Sequence, residues 1–294
     1  MIIITADVGG SKTSIAVTRD GERLVETRGQ GTSVRPGRAV VAATMIADLC
    51  RRALAQANLL RADILVVGAA GAGREADAEE IRITLSRERF AAQVVVVSDV
   101  MLAFAALGAE IGVVLVAGTG SVAFGRASDG RMVRQGGFGW QMGDEGAGYW
   151  IGREALRAMG LGVDGRGPST ELLAGIMTTI GAPTVRDAVG WSTVASPREV
   201  ASLTRTVVSV AKAGDAIAAD ILTRAAGELA RLVNTLAPEF SDQSSVPVGL
   251  TGGLLGPDGP LYQPVIALIQ APFRPAEQPI DPLLGGPALA AGKR

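Results

Sequence analysis

The sequence predicts an α/β protein built from two similar halves. In each half, short apolar runs joined by tight turns come first, and segments with helical periodicity follow. Three glycine-rich turns each come directly after a strand-like run. This repeat predicts a first domain over residues 1–108 and a second over residues 109–294. A terminal helix at about residues 285–294 is expected to pack back on the first domain.

The first half begins with three alternating runs that predict an antiparallel meander, with Asp20-Gly21 as a two-residue hairpin turn. Two amphipathic helices follow, each leading into a continuous apolar run of the kind that forms a strand covered on both faces. The predicted strands are residues 2–6, 14–18, 24–27, 64–67 and 94–97, and the predicted helices are residues 38–58 and 75–89.

The second half repeats the meander, with Asp129-Gly130 as its hairpin turn. A long helical region and a further apolar run at residues 246–250 come after it. The predicted strands are residues 113–116, 122–126 and 132–135, and the predicted helices are residues 146–159, 169–180, 197–213 and 215–236.

Composition restricts the possible partners. The chain has 294 residues, 48% of them hydrophobic, and a net charge of −1, so electrostatics favours neither nucleic acid nor an anionic membrane surface. No uncharged apolar run approaches the roughly 20 residues of a membrane span. The apolar start lacks a basic region and is interrupted by Asp7, which is not typical of a signal peptide. A single cysteine then favours the cytoplasm.

The chain contains no histidine, so a general base at neutral pH would have to be a carboxylate. Cys50 lies in a helical pattern and is expected to be a small core residue. One cysteine cannot supply the ligands of an iron–sulfur cluster shared by two subunits, nor those of a histidine–cysteine zinc site.

The glycine-rich turns occupy residues 7–13, 117–121 and 250–254. Backbone N–H groups in such turns can surround phosphate oxygens, and glycine allows the ligand to approach closely. A single turn of this kind could serve a hairpin alone. Three turns in this order, with Asp7 in the first, indicate a nucleotide held between two domains.

The order of these turns resembles the phosphate-1, phosphate-2 and adenosine motifs of the actin-like ATPase superfamily. Residues 136–152 resemble the signature of N-acetylglucosamine kinases and the related BadF/BcrA-type ATPases, as do Ser98-Asp99-Val100 and residues 284–289. The resemblance implies two ribonuclease H-like domains with a nucleotide and sugar cleft between them. It also implies ATP and Mg²⁺ as cofactors, and a homodimer is expected.

The resemblance assigns nucleotide-binding roles to all three turns. Asp7 would orient Mg²⁺, although an aspartate here could also stabilise the turn. Lys12 could instead be a solvated lysine at the hairpin tip. The residues expected to bind ATP are Gly9, Gly10, Ser11, Lys12, Thr13, Gly118, Thr119, Gly120, Ser121, Thr251, Gly252 and Gly253.

Asp99 is the expected catalytic base, and the alternative is an aspartate that caps the helix beginning at Val100. The resemblance gives Asp144 a contact to a sugar hydroxyl and Glu145 a supporting contact. These two residues could instead act as a cap pair for the helix predicted at Gly146.

The sugar-binding positions implied by the resemblance are Ser33, Gly71, Asp99, Thr119, Gly136, Gly137 and Asp144. The family has an asparagine where this chain has the stretch 29–37, and Ser33 is expected to replace it with a shorter hydroxyl. Arg35 and Arg74 lie near these positions. They could solvate loops, or they could bind a substrate that carries a carboxylate or a phosphate.

The sequence therefore predicts a kinase that transfers phosphate from ATP to an amino sugar, N-acetylglucosamine or glucosamine, with Asp99 as general base. The alternatives are a kinase of N-acetylmuramate or another sugar, and an ATPase that regulates a partner protein. A non-catalytic sugar sensor is a third class, for which this chain shows no DNA-binding extension.

Overall fold

The computed structural model describes residues 1–32, 34 and 37–292, and the chain divides into two compact units. The first unit holds Met1–Glu110 together with the segment that begins at Ile280, and the second holds Ile111–Pro279. Each unit is built on a mixed β-sheet with helices packed against it. The α/β fold class predicted from the sequence is confirmed.

The sheet of the first unit has the order β3-β2-β1-β4-β5. Its strands are β1 (Ile2–Val8), β2 (Lys12–Arg19), β3 (Glu22–Gln30), β4 (Ala62–Ala69) and β5 (Ala91–Ser98). The first three form the predicted antiparallel meander, whereas β4 and β5 run parallel to β1. Asp20 and Gly21 both have positive φ, 51° and 90°, as a two-residue hairpin turn requires.

Helices cover both faces of this sheet, and β1 supplies side chains to both layers. The helices are α1 (Ala39–Gln56) and α2 (Glu75–Arg87) on one face, and α3 (Asp99–Leu107) and α11 (Gly285–Ala290) on the other. Ile4 and Val8 join the core under α1 and α2, whereas Ile3 packs with Leu102 and Leu289. Side chains alternate along a strand, so Asp7 lies on the face of Ile3, towards α3 and α11.

The sheet of the second unit has the same topology, with the order β10-β9-β6-β7-β8. Its strands are β6 (Gly112–Ala117), β7 (Ser121–Arg126), β8 (Met132–Gly136), β9 (Val246–Thr251) and β10 (Phe273–Pro275). The first three again form an antiparallel meander, and β9 and β10 run parallel to β6. The repeat that the sequence indicated is therefore a repeat of strand order and direction.

The helices of the second unit differ in places from the sequence prediction. They are α4 (Gly148–Val163), α5 (Leu172–Ile180), α6 (Val185–Val194), α7 (Pro197–Ser202), α8 (Thr204–Lys212), α9 (Ala216–Asn234) and α10 (Tyr262–Ile266). The helix predicted over residues 197–213 is two helices that meet at Leu203. Helix α6 was not predicted, because its apolar periodicity is weak. Among its described residues, Ala188 is the one that is buried. Its capping box of Thr184 and Asp187 was the available signal.

The C-terminal helix α11 fits closely against β1 and α3. A Cβ atom on Gly285 would collide with the backbone carbonyl of Leu102, and one on Gly286 would collide with the Thr5 side chain. Both glycines are buried. The last helix therefore rests directly on the two elements that carry Asp7 and Asp99. Lys293 and Arg294, the end of the predicted terminal helix, lie outside the described residues.

We predict that Gly286→Ala lowers the free energy of unfolding by about 1–3 kcal/mol, because the added methyl group overpacks the contact with Thr5. Gly227→Ala is the matched control. Gly227 lies within α9, and no described atom outside its own helix lies within 4 Å of a Cβ placed there. That substitution should stabilise the chain by about 0.5–1 kcal/mol. Equilibrium urea unfolding measures both, and equal stability of the two variants would contradict the close fit of α11.

Candidate active site

Three parallel strands of the first unit end at the same level of the sheet. Val8 at the end of β1 pairs with Ala69 at the end of β4, and Ala69 pairs with Ser98 at the end of β5. The residues next to these ends therefore share one edge. Asp7 and Asp99, two of the predicted site residues, lie there.

Asp99 is the first residue of α3, and the residue before it caps the helix. The Ser98 hydroxyl accepts a hydrogen bond from the Met101 N–H at 3.4 Å, and Ser98 has the extended backbone of an N-cap. The interpretation of Asp99 as the cap is therefore wrong. A carboxylate in the first helical turn, as Asp99 is, is favoured by the helix dipole.

Asp7 lies in an electrostatically unfavourable position for a carboxylate. Desolvation by burial, followed by the nearby Asp99 carboxylate, raises its pKa from 3.8 to about 7. Asp281 adds a smaller effect in the same direction, whereas the Lys12 ammonium lowers the pKa. The structure therefore brings Asp7, Asp99 and Lys12 within electrostatic reach of one another.

The first glycine-rich turn is a tight hairpin between β1 and β2. The Gly9 N–H donates to the Lys12 carbonyl at 2.9 Å, so this donor is already used within the turn. Gly10, Ser11 and Lys12 are exposed, whereas Thr13 is 2% exposed. Within the described residues, the Thr13 hydroxyl has no hydrogen-bond partner. The tip Gly10-Ser11-Lys12 is therefore exposed to solvent, whereas the Gly9 N–H is bonded within the turn and Thr13 is buried.

The second glycine-rich turn, between β6 and β7, is joined to the start of α4. The carbonyls of Gly118 and Thr119 accept the N–H groups of Gly148 and Tyr149 at 2.8 and 3.1 Å. Helix N–H groups in the first turn lack partners within the helix, and these two carbonyls satisfy two of them. The turn is thereby fixed to α4.

Asp144 also holds this turn. Its carboxylate accepts the Ser121 N–H at 3.2 Å, and a Cβ on Gly120 would lie 2.6 Å from one of its oxygens. Asp144 is 9% exposed and has a left-handed backbone with φ of 60°. Burial raises its pKa, and the hydrogen bond from Ser121 opposes this shift.

The cap interpretation of Asp144 and Glu145 is wrong, because α4 begins at Gly148 with Ala147 as its N-cap. The carbonyl of Glu145 instead accepts the Ser121 hydroxyl at 2.9 Å. Both residues therefore connect the signature region to the second glycine-rich turn.

The third glycine-rich turn lies beside the second. Gly252 has φ of 104°, and a Cβ there would collide with the Ala117 carbonyl. The same carbonyl accepts the Leu254 N–H at 3.0 Å. Thr251 is buried at the end of β9. Gly118 faces this turn, with the Gly253 nitrogen 4.0 Å from a Cβ placed on it.

Gly136 and Gly137 form a left-handed turn at the end of β8, with φ of 72° and 71°. The Arg134 Nε donates to the Gly136 carbonyl at 3.1 Å, and a second nitrogen of the same guanidinium donates to the Gly137 carbonyl. Sequence reasoning missed Arg134. A cation two residues before a glycine pair was the signal available.

Gly71 follows β4 and contacts the chain near the predicted sugar position. A Cβ on Gly71 would collide with the Val34 carbonyl. The Val34 N–H donates to the Ala70 carbonyl at 2.8 Å. The Arg74 guanidinium donates to the same Val34 carbonyl at 3.2 Å and also to Asp77. The Arg74 cation is thus engaged by protein groups. Ser33 and Arg35 lie outside the described residues.

Within residues 1–32, 34 and 37–292, no three acidic or cysteine side chains gather as a metal-binding cluster. The same ranges contain no helix whose length and apolar character would suit a membrane crossing.

The chain belongs to the BadF/BadG/BcrA/BcrD ATPase family, whose family model matches residues 6–283. Membership of this family implies that the chain uses ATP. The recognition of this family from the glycine-rich turns and residues 136–152 is confirmed.

Two relatives and a solved structure are similar to the chain over most of its length. The N-acetylmuramic acid/N-acetylglucosamine kinase of Clostridium acetobutylicum is 30% identical over 85% of this chain and 84% of its own. The N-acetyl-D-glucosamine kinase of Dictyostelium discoideum is 29% identical over 64% of this chain and 61% of its own. A Chromobacterium violaceum crystal structure, provisionally assigned as an N-acetylglucosamine kinase, has a TM-score of 0.80 with 24% identity, over 98% of both chains.

The raised pKa of Asp7 predicts a pH dependence of stability. In the unfolded chain Asp7 loses its proton near pH 3.8, whereas the folded chain keeps it until about pH 7. Stability should therefore fall as the pH rises from 4 to 7. Between pH 5 and 8, we expect wild type to lose about 2 kcal/mol more than Asp7→Asn.

Urea unfolding of the ligand-free protein in EDTA measures this difference. Asp99→Asn should narrow the pH range over which stability falls, because the Asp99 carboxylate contributes to the raised pKa of Asp7. If the free energies of unfolding of wild type and Asp7→Asn changed with pH in parallel, folding would not raise the pKa of Asp7, and the prediction would be wrong.

Proposed function

We propose that this chain transfers the γ-phosphate of ATP to a hydroxyl group of an amino sugar, with N-acetylglucosamine or glucosamine as the favoured acceptor. The observation that carries the proposal is the position of Asp99, in the first turn of a helix capped by Ser98 and within electrostatic reach of Asp7. The two kinases that resemble the chain, which are named for N-acetylglucosamine and N-acetylmuramic acid, support an amino sugar as substrate.

In this proposal Asp99 is the general base. Its carboxylate accepts the proton of the sugar hydroxyl as the hydroxyl oxygen attacks the γ-phosphorus. The bond between the γ-phosphorus and the bridging oxygen breaks, and ADP leaves with that oxygen. Most of the acceleration comes from holding the reactants in line and from neutralising the transferred group, and the base adds a smaller factor.

We assign phosphate binding to the exposed tip Gly10-Ser11-Lys12 and to the turn of residues 118–121, and adenosine binding to residues 251–253. The Gly9 N–H is used by Lys12, and Thr13 is buried, so their roles are backbone shape and support rather than direct donation. Among these proposed phosphate-binding residues, Lys12 supplies a positive charge.

Asp7 is the residue proposed to hold Mg²⁺. A buried carboxylate with a raised pKa beside a second carboxylate fits this ion, because a cation would stabilise the ionised form. Mg²⁺ commonly binds through one or two carboxylates together with substrate phosphates. When bound, it neutralises phosphate charge.

The sugar-binding role is assigned to Thr119, Gly136, Gly137 and Asp144 in the second unit and to Ser33, Gly71 and Asp99 in the first. Gly71 supports this role by its close approach to Val34, the neighbour of Ser33. Asp144 would accept a hydrogen bond from a sugar hydroxyl with its Oδ2 atom, because its Oδ1 atom already accepts the Ser121 N–H.

N-acetylmuramate is the main alternative substrate, and its carboxylate would need a cation. Arg74 is engaged by Asp77 and the Val34 carbonyl, so Arg35 is the better candidate for this contact. A cytoplasmic location and a homodimer remain predictions from the sequence.

The competing function is an ATPase that regulates a partner protein. We expect ADP release to be slow with ATP alone and to rise at least tenfold with the correct sugar, because the sugar hydroxyl is a better placed nucleophile than water. A coupled assay across N-acetylglucosamine, glucosamine, N-acetylmuramate and glucose measures this. Glucose serves as the control for the amino group, and equal ADP release with and without every sugar would support the regulator.

The role of Asp99 is tested against its neighbour Ser98. Asp99→Asn should lower kcat by about 10²–10⁴-fold, the usual effect of losing a general base, with little change in thermal stability. Ser98→Ala should cost about 0.5–2 kcal/mol of stability through the lost cap and keep most of the turnover. Steady-state kinetics and thermal unfolding of both variants separate the two roles. An Asp99→Asn enzyme with more than half of the wild-type kcat would exclude Asp99 as the base.

A further inference from the structure

Arg134 makes two hydrogen bonds to consecutive carbonyl groups. Its side chain leaves β8 and reaches the carbonyls of Gly136 and Gly137, one through Nε and one through a terminal nitrogen. The planar guanidinium presents its donors in a fixed fork, which matches two acceptors at once. A lysine ammonium at the same position could satisfy one carbonyl but would not fix the orientation of both.

The turn that Arg134 holds has little freedom to accept a side chain. Gly136 and Gly137 are both left-handed, which favours glycine. A Cβ on Gly136 would lie 2.9 Å from Leu232 of α9, and a Cβ on Gly137 would collide with the Arg134 guanidinium itself. The turn is therefore packed against α9 on one side and against Arg134 on the other.

The influence of Arg134 extends beyond the turn. Burial raises the pKa of Asp144, whereas the hydrogen bond from Ser121 and, to a smaller extent, the positive charge of Arg134 oppose this rise. Asp144 in turn holds the Ser121 N–H of the second glycine-rich turn. One guanidinium thus acts on Gly136, Gly137 and Asp144, three of the positions in the second unit that the proposed function assigns to the sugar.

We propose that Arg134 is the positioning residue of the sugar-binding turn, fixing the Gly136 and Gly137 backbone in the shape that the amino sugar contacts. This inference rests on the proposed function. Arg134 itself need not touch the substrate, since its donors point to the protein carbonyls. If the turn became ordered only when the sugar binds, the entropy lost in ordering would lower the affinity for the sugar. A turn that is already held by Arg134 does not lose that entropy on binding.

The test is a comparison of Arg134→Lys and Arg134→Gln with wild type. Both variants should raise the KM for the sugar about tenfold or more, because the sugar-binding turn is no longer held in shape before the sugar binds. The KM for ATP and kcat should stay within about twofold of wild type, because no transition-state contact is lost. Arg131→Gln is the matched control. Arg131 lies next to the same strand, and its exposed guanidinium binds Asp129 and Glu239.

A second measurement separates positioning from general stability. Calorimetric titration of the sugar in the presence of ADP should show the same loss of affinity without turnover. Millimolar guanidinium should restore part of the sugar affinity of Arg134→Gly, and methylammonium should not, because only guanidinium supplies the fork.

The outcomes are distinguishable. If wild type shows no sugar-dependent ADP release with any sugar of the panel, the proposed function fails and this inference fails with it. If wild type phosphorylates a sugar but Arg134→Lys keeps its sugar KM, only the positioning role is overturned. An equal rise of the KM for ATP and the sugar, or a similar loss in Arg131→Gln, would also overturn it, since either indicates general disruption.

Discussion

The parallel pairing of β1 with β4, and of β4 with β5, determines where the chemistry of the first unit lies. This register brings the ends of three strands to one level, although these ends are up to about 90 residues apart in the chain. The alternation of side chains along β1 then decides that Asp7 faces α3, whose first residue is Asp99. Two carboxylates so close together are costly in a desolvated place, and the raised pKa of Asp7 is the result. The ionised form of Asp7 therefore lowers the stability of the first unit.

The second unit meets a different constraint, which is to hold glycine-rich backbone in one shape. Glycine turns lose more entropy on ordering than other turns, so they need partners that fix them. Here the N-terminus of α4 takes two carbonyls of the second turn, Asp144 takes one N–H, and Ala117 accepts a donor from the third turn. The signature of residues 136–152 therefore has a structural role as well as the proposed chemical one. Residues 144, 145, 148 and 149 of this signature all form hydrogen bonds with the turn of residues 118–121.

The sequence was sufficient for the fold class and for most elements, because apolar periodicity and the hairpin pairs Asp20-Gly21 and Asp129-Gly130 reflect local physics. It failed where local physics is weak or ambiguous. Helix α6 buries little, and the break at Leu203 leaves helical periodicity on both sides. Asp99 was considered as the alternative cap of α3, whereas the cap is Ser98; both residue types suit an N-cap, and propensity alone does not choose between neighbours. Arg134 was missed because its partners are backbone carbonyls, and a cation two residues before a glycine pair is only a weak signal in the sequence.

The contact of Gly286 with Thr5 joins the end of the chain to its first strand, and this has a consequence for biosynthesis. During translation, β1, β4 and β5 leave the ribosome long before α11, so the cover over the sheet face that carries Ile3 and Val66 is incomplete while the second unit is being made. Domains usually fold as units in order of synthesis. For this chain, α11 therefore completes the packing of the first unit only after the second unit has been synthesised.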